Sequence, residues 1–186
     1  PTTPYGSLMS NPTTLEMFDE IDNVLKDTPI IAGVDASDPY RSDLKKLLKM
    51  FWDKGFSGII NFPTVVLYGD RWIESRSSVG YGFEREIKMM EIARSMDLFT
   101  MAYVWSPRDA RKMAKVPVDV MCPHAGGTAG GLVGFKAEPY EVAVKTVQSM
   151  IKATKEVNPD IICLAHGGPF AEPKDTIYLY EHTDAA

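Results

Sequence analysis

The sequence predicts an α/β fold in which strand–helix units repeat, as in a parallel sheet or a TIM barrel. The 186 residues include 45% hydrophobic and 24% charged side chains, the proportions of an ordinary globular domain. Short apolar runs alternate along the chain with segments of helical spacing. Because strands that are joined by crossover helices lie parallel, this alternation predicts a parallel sheet.

Five apolar, β-branched runs are the predicted strands, and each leads into Gly, Asp, Asn, His or an aromatic residue. Continuous hydrophobicity is typical of strands that are buried on both faces of a sheet. The predicted strands cover residues 29–34, 58–66, 98–105, 118–123 and 160–166.

Helical spacing and capping signals predict six helices between or beside these strands. Thr13-x-x-Glu16 has the spacing of a capping box and predicts the start of the first helix. Ser106 before Pro107 is typical of a cap followed by proline at the first helical position. Of the other helices, one is predicted from the apolar positions between Leu44 and Phe51, with Gly55 as its stop. The rest are predicted over 84–96, from Pro139, and from near Pro173.

The spacing of the strands indicates an incomplete set of units. Strand starts recur about every 33 residues, and eight such units would need roughly 260 residues, the size of a TIM barrel. The chain therefore holds about five of eight units, either as an open sheet or as part of a barrel completed elsewhere. No linker divides it, so we predict one domain over 1–186, with 1–12 as an extended lead-in and 13–186 as the βα repeat.

Charge and composition exclude several function classes. The net charge is −5 and no Lys/Arg cluster stands out, so we expect no nucleic-acid partner. No apolar run approaches the roughly 18–20 residues of a membrane span, and no signal peptide is visible. Cys122 and Cys163 lie in apolar runs, as buried thiols of a reducing compartment do, which predicts a cytoplasmic protein.

Polar side chains follow the first two predicted strands, at the end where parallel α/β folds bind ligands. Asp35 and Asp38 follow the first strand and could hold a divalent cation through hard oxygen ligands. Asp38 precedes Pro39, so it could equally cap the next helix. Asn61 and Thr64 follow in the second strand region as candidate substrate-binding residues, although Asn61 could equally make a structural hydrogen bond.

Two of the three histidines end predicted strands. His124 and His166 stand in equivalent positions, which favours a role as general acid and base or as metal ligands. His182 lies on the last polar helix, where solvation explains it. Glu84 and Glu86 start a helix, where acids usually complement the helix dipole.

Glycine-rich loops follow both strand-end histidines. Glycine permits positive φ and lets backbone amides converge on an anion, so these loops are candidate substrate-binding segments. A flexible lid is the competing interpretation of the first loop, which lacks the Gly-Lys-Ser/Thr ending of a P-loop. The residues concerned are Gly126, Gly127, Thr128, Gly130, Gly131, Gly167 and Gly168.

Several of these motifs, in this order, resemble the phosphoenolpyruvate hydrolase-like TIM-barrel family, which also occurs as the C-terminal domain of a plant virus-resistance protein. The resemblance runs from about residue 28 to 180. The most specific motifs are Asn61-Phe62-Pro63-Thr64-Val65 and His166-Gly167-Gly168-Pro169. Weaker matches are Gly80-Tyr81-Gly82-Phe83 with Glu86, the glycine run after His124, and Asn158-Pro159-Asp160.

The resemblance implies strands three to seven of an eight-stranded barrel, and a fold shared with enzymes that bind phosphoenolpyruvate, phosphonopyruvate or 2-oxo acids, commonly with Mg²⁺. This chain departs from the family pattern at three places. Asp35 stands where the family has a small residue or cysteine, Ser77-Ser78 replace an acidic pair, and Val66 replaces a glycine.

We therefore expect a TIM-barrel-type enzyme that cleaves a C–C or C–P bond, or hydrolyses a small anionic substrate. In this hypothesis Asp35 and Asp38 hold Mg²⁺, while His124, His166 and Asp35 are catalytic. The alternative is a non-catalytic subunit that binds a ligand or a protein. In either case two sheet edges need cover, so we expect a homo-oligomer or a partner chain that supplies the missing strands.

Overall fold

The computed structural model describes residues 7–130 and 134–186. Contacts within the chain divide it into two compact units, 1–101 and 102–186. One strand, Phe99–Val104, begins in the first unit and ends in the second. The single domain that the sequence favours stays a prediction.

Five parallel strands follow one another in the sheet in chain order. This arrangement confirms the predicted fold class, a βα repeat of TIM-barrel type with about five of eight units. The strands are β1 (Ile31–Gly33), β2 (Gly58–Ile60), β3 (Phe99–Val104), β4 (Val120–Pro123) and β5 (Ile162–Cys163).

Seven α-helices and one short 3-10 helix connect the strands within the described residues. None of these helices has the length and apolar character that crossing a membrane requires. The helices are α1 (Ser7–Asp22), α2 (Leu44–Lys54), the 3-10 helix (Val65–Tyr68), α3 (Asp70–Ser77), α4 (Phe83–Ser95), α5 (Pro107–Met113), α6 (Tyr140–Val157) and α7 (Pro173–His182).

In the first unit, α1 and α2 pack together through aromatic rings. The ring centroid of Phe56 lies 4.7 Å from that of Phe18 and 5.5 Å from that of Phe51. Gly55 ends α2 in the left-handed region at φ 114°, as the sequence predicts. A Cβ on Gly55 would lie 2.7 Å from the Phe18 ring, so glycine is needed here for both reasons.

The register of the first three strands depends on Gly58. It pairs with Ile31 on one side and with Phe99 on the other. A Cβ on Gly58 would collide with the Phe99 backbone and lie 2.9 Å from the Ile31 side chain. Any larger residue would push the neighbouring strands apart.

In the second unit, α5 and α6 pack on each other beside β4 and β5. Ser106 caps α5 by accepting a hydrogen bond from the Asp109 N–H at 3.1 Å, and Pro107 is the first helical residue, as predicted. β4 pairs with β5 through Val120–Ile162 and Met121–Cys163. The paired ends of these strands fix where the following loops begin.

Three predictions of local structure are wrong. Helix α1 begins at Ser7, so Thr13 lies inside it and residues 7–12 are not an extended lead-in; residues 1–6 lie outside the described part. The second strand ends at Ile60 and not at Val66. Pro63 has no N–H to donate to the sheet, and the Thr64 hydroxyl caps the 3-10 helix. The sequence pattern predicts neither this 3-10 helix nor α3.

Asn11 fixes α1 to the loop that follows β1. Its amide oxygen accepts from the Asp35 N–H at 2.9 Å, and its amide nitrogen donates to the Asp35 carbonyl at 3.0 Å and to the Asp38 carboxylate at 3.0 Å. All three residues are buried. The Asn11 amide therefore both donates to and accepts from the backbone of Asp35, as a residue of a neighbouring strand does.

We expect Asn11→Ala to lower the free energy of unfolding by roughly 2–3 kcal/mol, because it removes the partner of the buried Asp35 backbone N–H and C=O groups and one donor to the Asp38 carboxylate. Urea denaturation followed by circular dichroism measures the change. Asn23→Ala is the matched control, since its amide makes one exposed bond to Asp19, and we expect a change within about 0.5 kcal/mol. Equal effects of the two substitutions would contradict the assignment.

Candidate functional site

The loop after β1 places Asp35 under α1. Asp35 is 2% exposed, and its Oδ1 accepts hydrogen bonds from the Ser37 N–H at 2.8 Å and the Ser37 hydroxyl at 2.6 Å. Burial raises the pKa of Asp35, the Ser37 bonds oppose this, and the nearby Asp38 charge raises it further. Asp35 is thus a carboxyl group that holds its proton more strongly than usual.

Asp38 is buried near Asp35, and both of its carboxylate oxygens accept hydrogen bonds. Its Oδ1 accepts from the backbone N–H groups of Tyr40 and Arg41, and its Oδ2 accepts from Asn11 and from the Arg41 guanidinium at 3.0 Å. Burial alone would raise the pKa of Asp38, but these donors outweigh it and the pKa is lowered. Asp38 therefore organises the turn that leads to α2. It does not cap that helix as the sequence suggested, because the N-cap is Asp43, whose side chain accepts from the Lys46 N–H.

The end of β2 meets the first turn of α4 through Glu86. The Glu86 carboxyl accepts from the Asn61 amide at 2.6 Å and from the Val65 N–H at 2.8 Å, and the Thr64 hydroxyl bonds it as well. These contacts join the loop after β2 to α4. Asn61 and Thr64 are themselves buried, so their hydrogen bonds here are structural ones.

Burial raises the pKa of Glu86 to about 8, against the three donors that lower it. The charge of Asp35 raises the pKa further, which places Asp35 and Glu86 within electrostatic range of each other. Glu86 therefore keeps its proton at neutral pH. We refer to Asp35, Asp38 and Glu86, with the amides of Asn11 and Asn61, as the carboxyl cluster.

Two arginines lie near the carboxyl cluster in the first unit. Arg76 lowers the pKa of Asp35 by its charge, and its guanidinium lies 5.3 Å from the Tyr81 ring centroid and 5.7 Å from that of Trp72. Its buried Nε has no hydrogen-bond partner among the described residues. Arg85 instead donates to the backbone of the β1–α2 segment and so braces it.

The predicted metal ligands do not fit a divalent cation as they are arranged. Both oxygens of Asp38 accept hydrogen bonds, one of them from an arginine, and Oδ1 of Asp35 accepts two from Ser37. Among the described residues, no three His, Cys, Asp or Glu side chains are grouped as a metal site. Mg²⁺ therefore stays an expectation from the family resemblance.

The second unit contains the two strand-end histidines. His124 and His166 face each other across a parallel bridge, and His124 Nε2 lies 3.2 Å from His166 Nδ1. His124 is buried and its ring stacks on Trp105 with centroids 3.9 Å apart, while His166 is exposed to solvent. Burial, with a smaller effect of His166, lowers the pKa of His124 to about 3, and burial lowers that of His166.

The glycine loops of the second unit bind to each other. The Gly168 N–H donates to the Gly126 carbonyl at 2.7 Å, and the Ala129 N–H donates to the Gly168 carbonyl at 2.9 Å. Gly167, at φ 80°, must be glycine, since a Cβ there would lie 2.6 Å from the His124 ring. The loops therefore hold the histidine pair in place.

The remaining predicted residues of these loops are placed less specifically. Thr128 and Gly130 are exposed and Gly127 is half-buried, so they are accessible to a ligand. Gly131 lies outside the described residues. Cys122 and Cys163 are both buried free thiols, and burial raises the pKa of Cys122 to about 12.

The structure brings the predicted residues together in two sets, one in each unit. Asn11, Arg76 and Glu86 were missed. A signal for Glu86 was present: it follows Phe83 by three residues and precedes Met90 by four, so it lies on the buried face of α4 and not on the exposed one. No comparable pattern marks Asn11, which lies within residues 1–12, the predicted lead-in.

Comparison with known proteins identifies relatives over nearly the whole chain. The family model described as phosphoenolpyruvate hydrolase-like matches residues 2–186. The ToMV susceptible protein tm-1(GCR26) and the ToMV resistance protein Tm-1(GCR237), both from Solanum lycopersicum, are 37% and 36% identical over 175 residues. These matches cover 94% of this chain and 23% of each tomato protein, so the chain spans about a quarter of their length.

Among solved structures, FabK from Thermotoga maritima superimposes with a TM-score of 0.59 at 14% sequence identity. The match covers 97% of this chain and 47% of FabK. At this identity the likeness concerns the fold alone.

Glu86 gives a pH dependence that can be measured. Because its pKa is about 8 in the folded chain and about 4.5 in the unfolded chain, unfolding releases a proton between these values. The contribution of Glu86 to the free energy of unfolding should therefore be highest below pH 4.5, fall by up to about 1.4 kcal/mol per pH unit, and level off above pH 8. Chemical denaturation at about pH 5, 6, 7 and 8 measures this slope.

Glu86→Gln removes the ionisation and should flatten the slope whatever its effect on absolute stability. Glu84→Gln, an exposed position on the same helix turn, is the control and should keep the slope of the parent chain. The assignment of a neutral buried Glu86 is wrong if the Glu86→Gln variant keeps the parent slope.

Proposed function

Because the chain belongs to the phosphoenolpyruvate hydrolase-like family, we propose that it forms the acid–base part of a TIM-barrel-type enzyme. The substrate is a small anionic 2-oxo acid, or a compound like phosphoenolpyruvate or phosphonopyruvate. The reaction is cleavage of a C–C or C–P bond, or hydrolysis.

The observation that carries this proposal is the pair of buried carboxyl groups with raised pKa values in the first unit. Enzymes raise carboxyl pKa values by burial so that one group can hold a proton at neutral pH and release it during the reaction. Glu86, with a pKa of about 8, is the proton donor in this scheme. Asp35, which lies within electrostatic range of Glu86, is the proton acceptor.

The charges around the cluster agree with an anionic substrate. Bond cleavage beside a 2-oxo group places negative charge on an enolate, and a neutral carboxylic acid stabilises such an anion better than a carboxylate does. Arg76, with its unsatisfied Nε, supplies a guanidinium that suits a carboxylate or phosphate group. No step of this scheme requires a metal ion.

A second candidate function is a non-catalytic domain that binds a ligand or a protein. Its specific support is that the tomato relatives, which are about four times as long, are named for susceptibility and resistance to a virus and not for a reaction. Binding of a substrate-like anion without turnover would favour this function.

The two buried free thiols favour a reducing compartment, so we place the protein in the cytoplasm as part of this proposal. Disulfide formation between Cys122 and Cys163 in the native protein would contradict that placement.

Asp35→Asn tests the catalytic proposal. The chain is first mixed with phosphoenolpyruvate, phosphonopyruvate, pyruvate and oxalate in a calorimeter, with and without Mg²⁺, and release of pyruvate and phosphate is then assayed. We expect at least one member of the panel to bind and be turned over, and Asp35→Asn to reduce turnover by about 10²–10⁴-fold, the usual contribution of an acid–base group.

Asp53→Asn is the matched control, since this exposed aspartate pairs with Lys49 on the surface of α2, and its turnover should equal that of the parent chain. The proposal fails if the folded chain binds none of the panel, or if Asp35→Asn turns over as fast as Asp53→Asn.

We further propose that a second copy or a partner chain covers the sheet edges. Within the described residues, β1 and β5 each pair with one neighbouring strand, and Ile162 of β5 is 51% exposed. The outer side of β5 is met at one point, where the Ala186 N–H donates to the Cys163 carbonyl at 2.8 Å. Unpaired strand edges with exposed apolar side chains promote association.

Size-exclusion chromatography with light scattering should therefore give a particle larger than the 20.7 kDa chain. Ile162→Lys should weaken the assembly because it places a charge on the β5 edge. Ile177→Lys, at an exposed position on α7, is the control and should leave the assembly intact. A folded monomer in the parent chain would overturn the proposal.

A further inference from the structure

The histidine pair of the second unit has a fixed hydrogen-bond direction. The Gly126 N–H donates to His124 Nδ1 at 3.1 Å. A backbone N–H can only donate, so this nitrogen must be the unprotonated acceptor of the His124 ring. His124 is then neutral and carries its hydrogen on Nε2.

The hydrogen on His124 Nε2 in turn determines which nitrogen of His166 is protonated. His124 Nε2–H faces His166 Nδ1 at 3.2 Å and donates to it. His166 Nδ1 is therefore also an acceptor, and its hydrogen lies on Nε2. The chain of hydrogen bonds runs in one direction, from the Gly126 backbone through His124 to His166.

The surroundings keep both rings in this arrangement. Trp105 stacks on the His124 ring, and Tyr103 contacts both rings with centroids 5.2 Å and 5.6 Å away. The His124 ring lies close to Gly167, in the space that a side chain at position 167 would occupy. A proton added to either histidine would place two donors against each other, so both rings resist charging.

We propose that His166 is a ligand-binding residue that donates its Nε2–H to an oxygen atom of an anionic ligand, with His124 as its positioning residue. His166 is exposed, and its Nε2 makes no hydrogen bond within the described residues. The ligand group is a carboxylate, enolate or phosphate oxygen. This role differs from the acid–base role expected from the sequence, because a neutral ring with a fixed N–H stabilises a negative oxygen without exchanging a proton.

The identity of the ligand rests on the proposed function, but the hydrogen-bond direction does not. The first measurement therefore uses the free protein: ¹⁵N-histidine labelling and NMR of the ring nitrogens at about pH 6 and pH 7.5, on either side of the ordinary histidine pKa. We expect both His124 and His166 to carry hydrogen on Nε2 only, with His182, outside the pair, as the internal reference. Hydrogen on Nδ1 of His166, or a charged ring at the lower pH, overturns the proposal.

Substitution of His124 separates positioning from a general structural effect. His124→Gln retains an amide N–H in the place of Nε2–H, so His166 should keep its hydrogen on Nε2. His124→Leu removes the donor, so His166 should lose this fixed form and accept a proton at about pH 6. Identical spectra of His166 in both variants would overturn the role of His124.

The second measurement uses oxalate and inorganic phosphate as probes. We expect one of them to shift the His166 Nε2–H resonance, and His166→Ala to weaken its binding at least about tenfold, the effect of one hydrogen bond to a charged group. His166→Gln, which retains an N–H donor, should bind within about threefold of the parent chain.

The proposal is overturned if neither probe shifts His166, or if His166→Ala binds as tightly as the parent chain. Binding at His166 together with no turnover of any substrate would instead contradict the proposed function and support the donor assignment. The two failures can therefore be told apart.

Discussion

Polar side chains that are buried at the ends of the strands need hydrogen-bond partners. The elements that supply these partners are held against the strand ends by the same hydrogen bonds. Asp35, Asp38 and Glu86 are all almost completely enclosed. A buried carboxyl group without hydrogen bonds would cost more than the marginal stability of a domain allows. The partners come from α1 through Asn11, from the loop after β2 through Asn61, and from the turn before α2.

Burial with hydrogen bonding shifts the pKa values of two carboxyl groups of the cluster in opposite directions. Asp38 gathers two backbone donors, an amide and a guanidinium, so it stays ionised despite burial. Among the described residues Glu86 has three neutral donors and no ion pair, so burial prevails and it keeps its proton. The opposite shifts separate the two roles: Asp38 is an ionised structural group, whereas Glu86 is available as a proton donor at neutral pH.

In the second unit, the packing around His124 and the direction of its hydrogen bonds determine the state of the histidine pair. His124 packs between Trp105 and Gly167, and one backbone N–H decides which nitrogen carries its hydrogen. The hydrogen bond from His124 Nε2–H then makes His166 Nδ1 an acceptor, although His166 itself is exposed. An exposed side chain thus gains a defined chemical state from a buried neighbour.

Hydrophobic patterning and local capping depend on neighbours in sequence, so the amino-acid sequence by itself determined the βα order, the stripe of α2 that ends at Gly55, and the Ser106 cap. The sequence also predicted Asp35, His124 and His166 as site residues, because strand ends are visible as the points where apolar runs stop. Burial of polar groups was not visible in this way. The role of Asn11, the protonated state of Glu86 and the pairing of His124 with His166 depend on contacts between residues 21 to 42 positions apart, and only the tertiary structure brings those together.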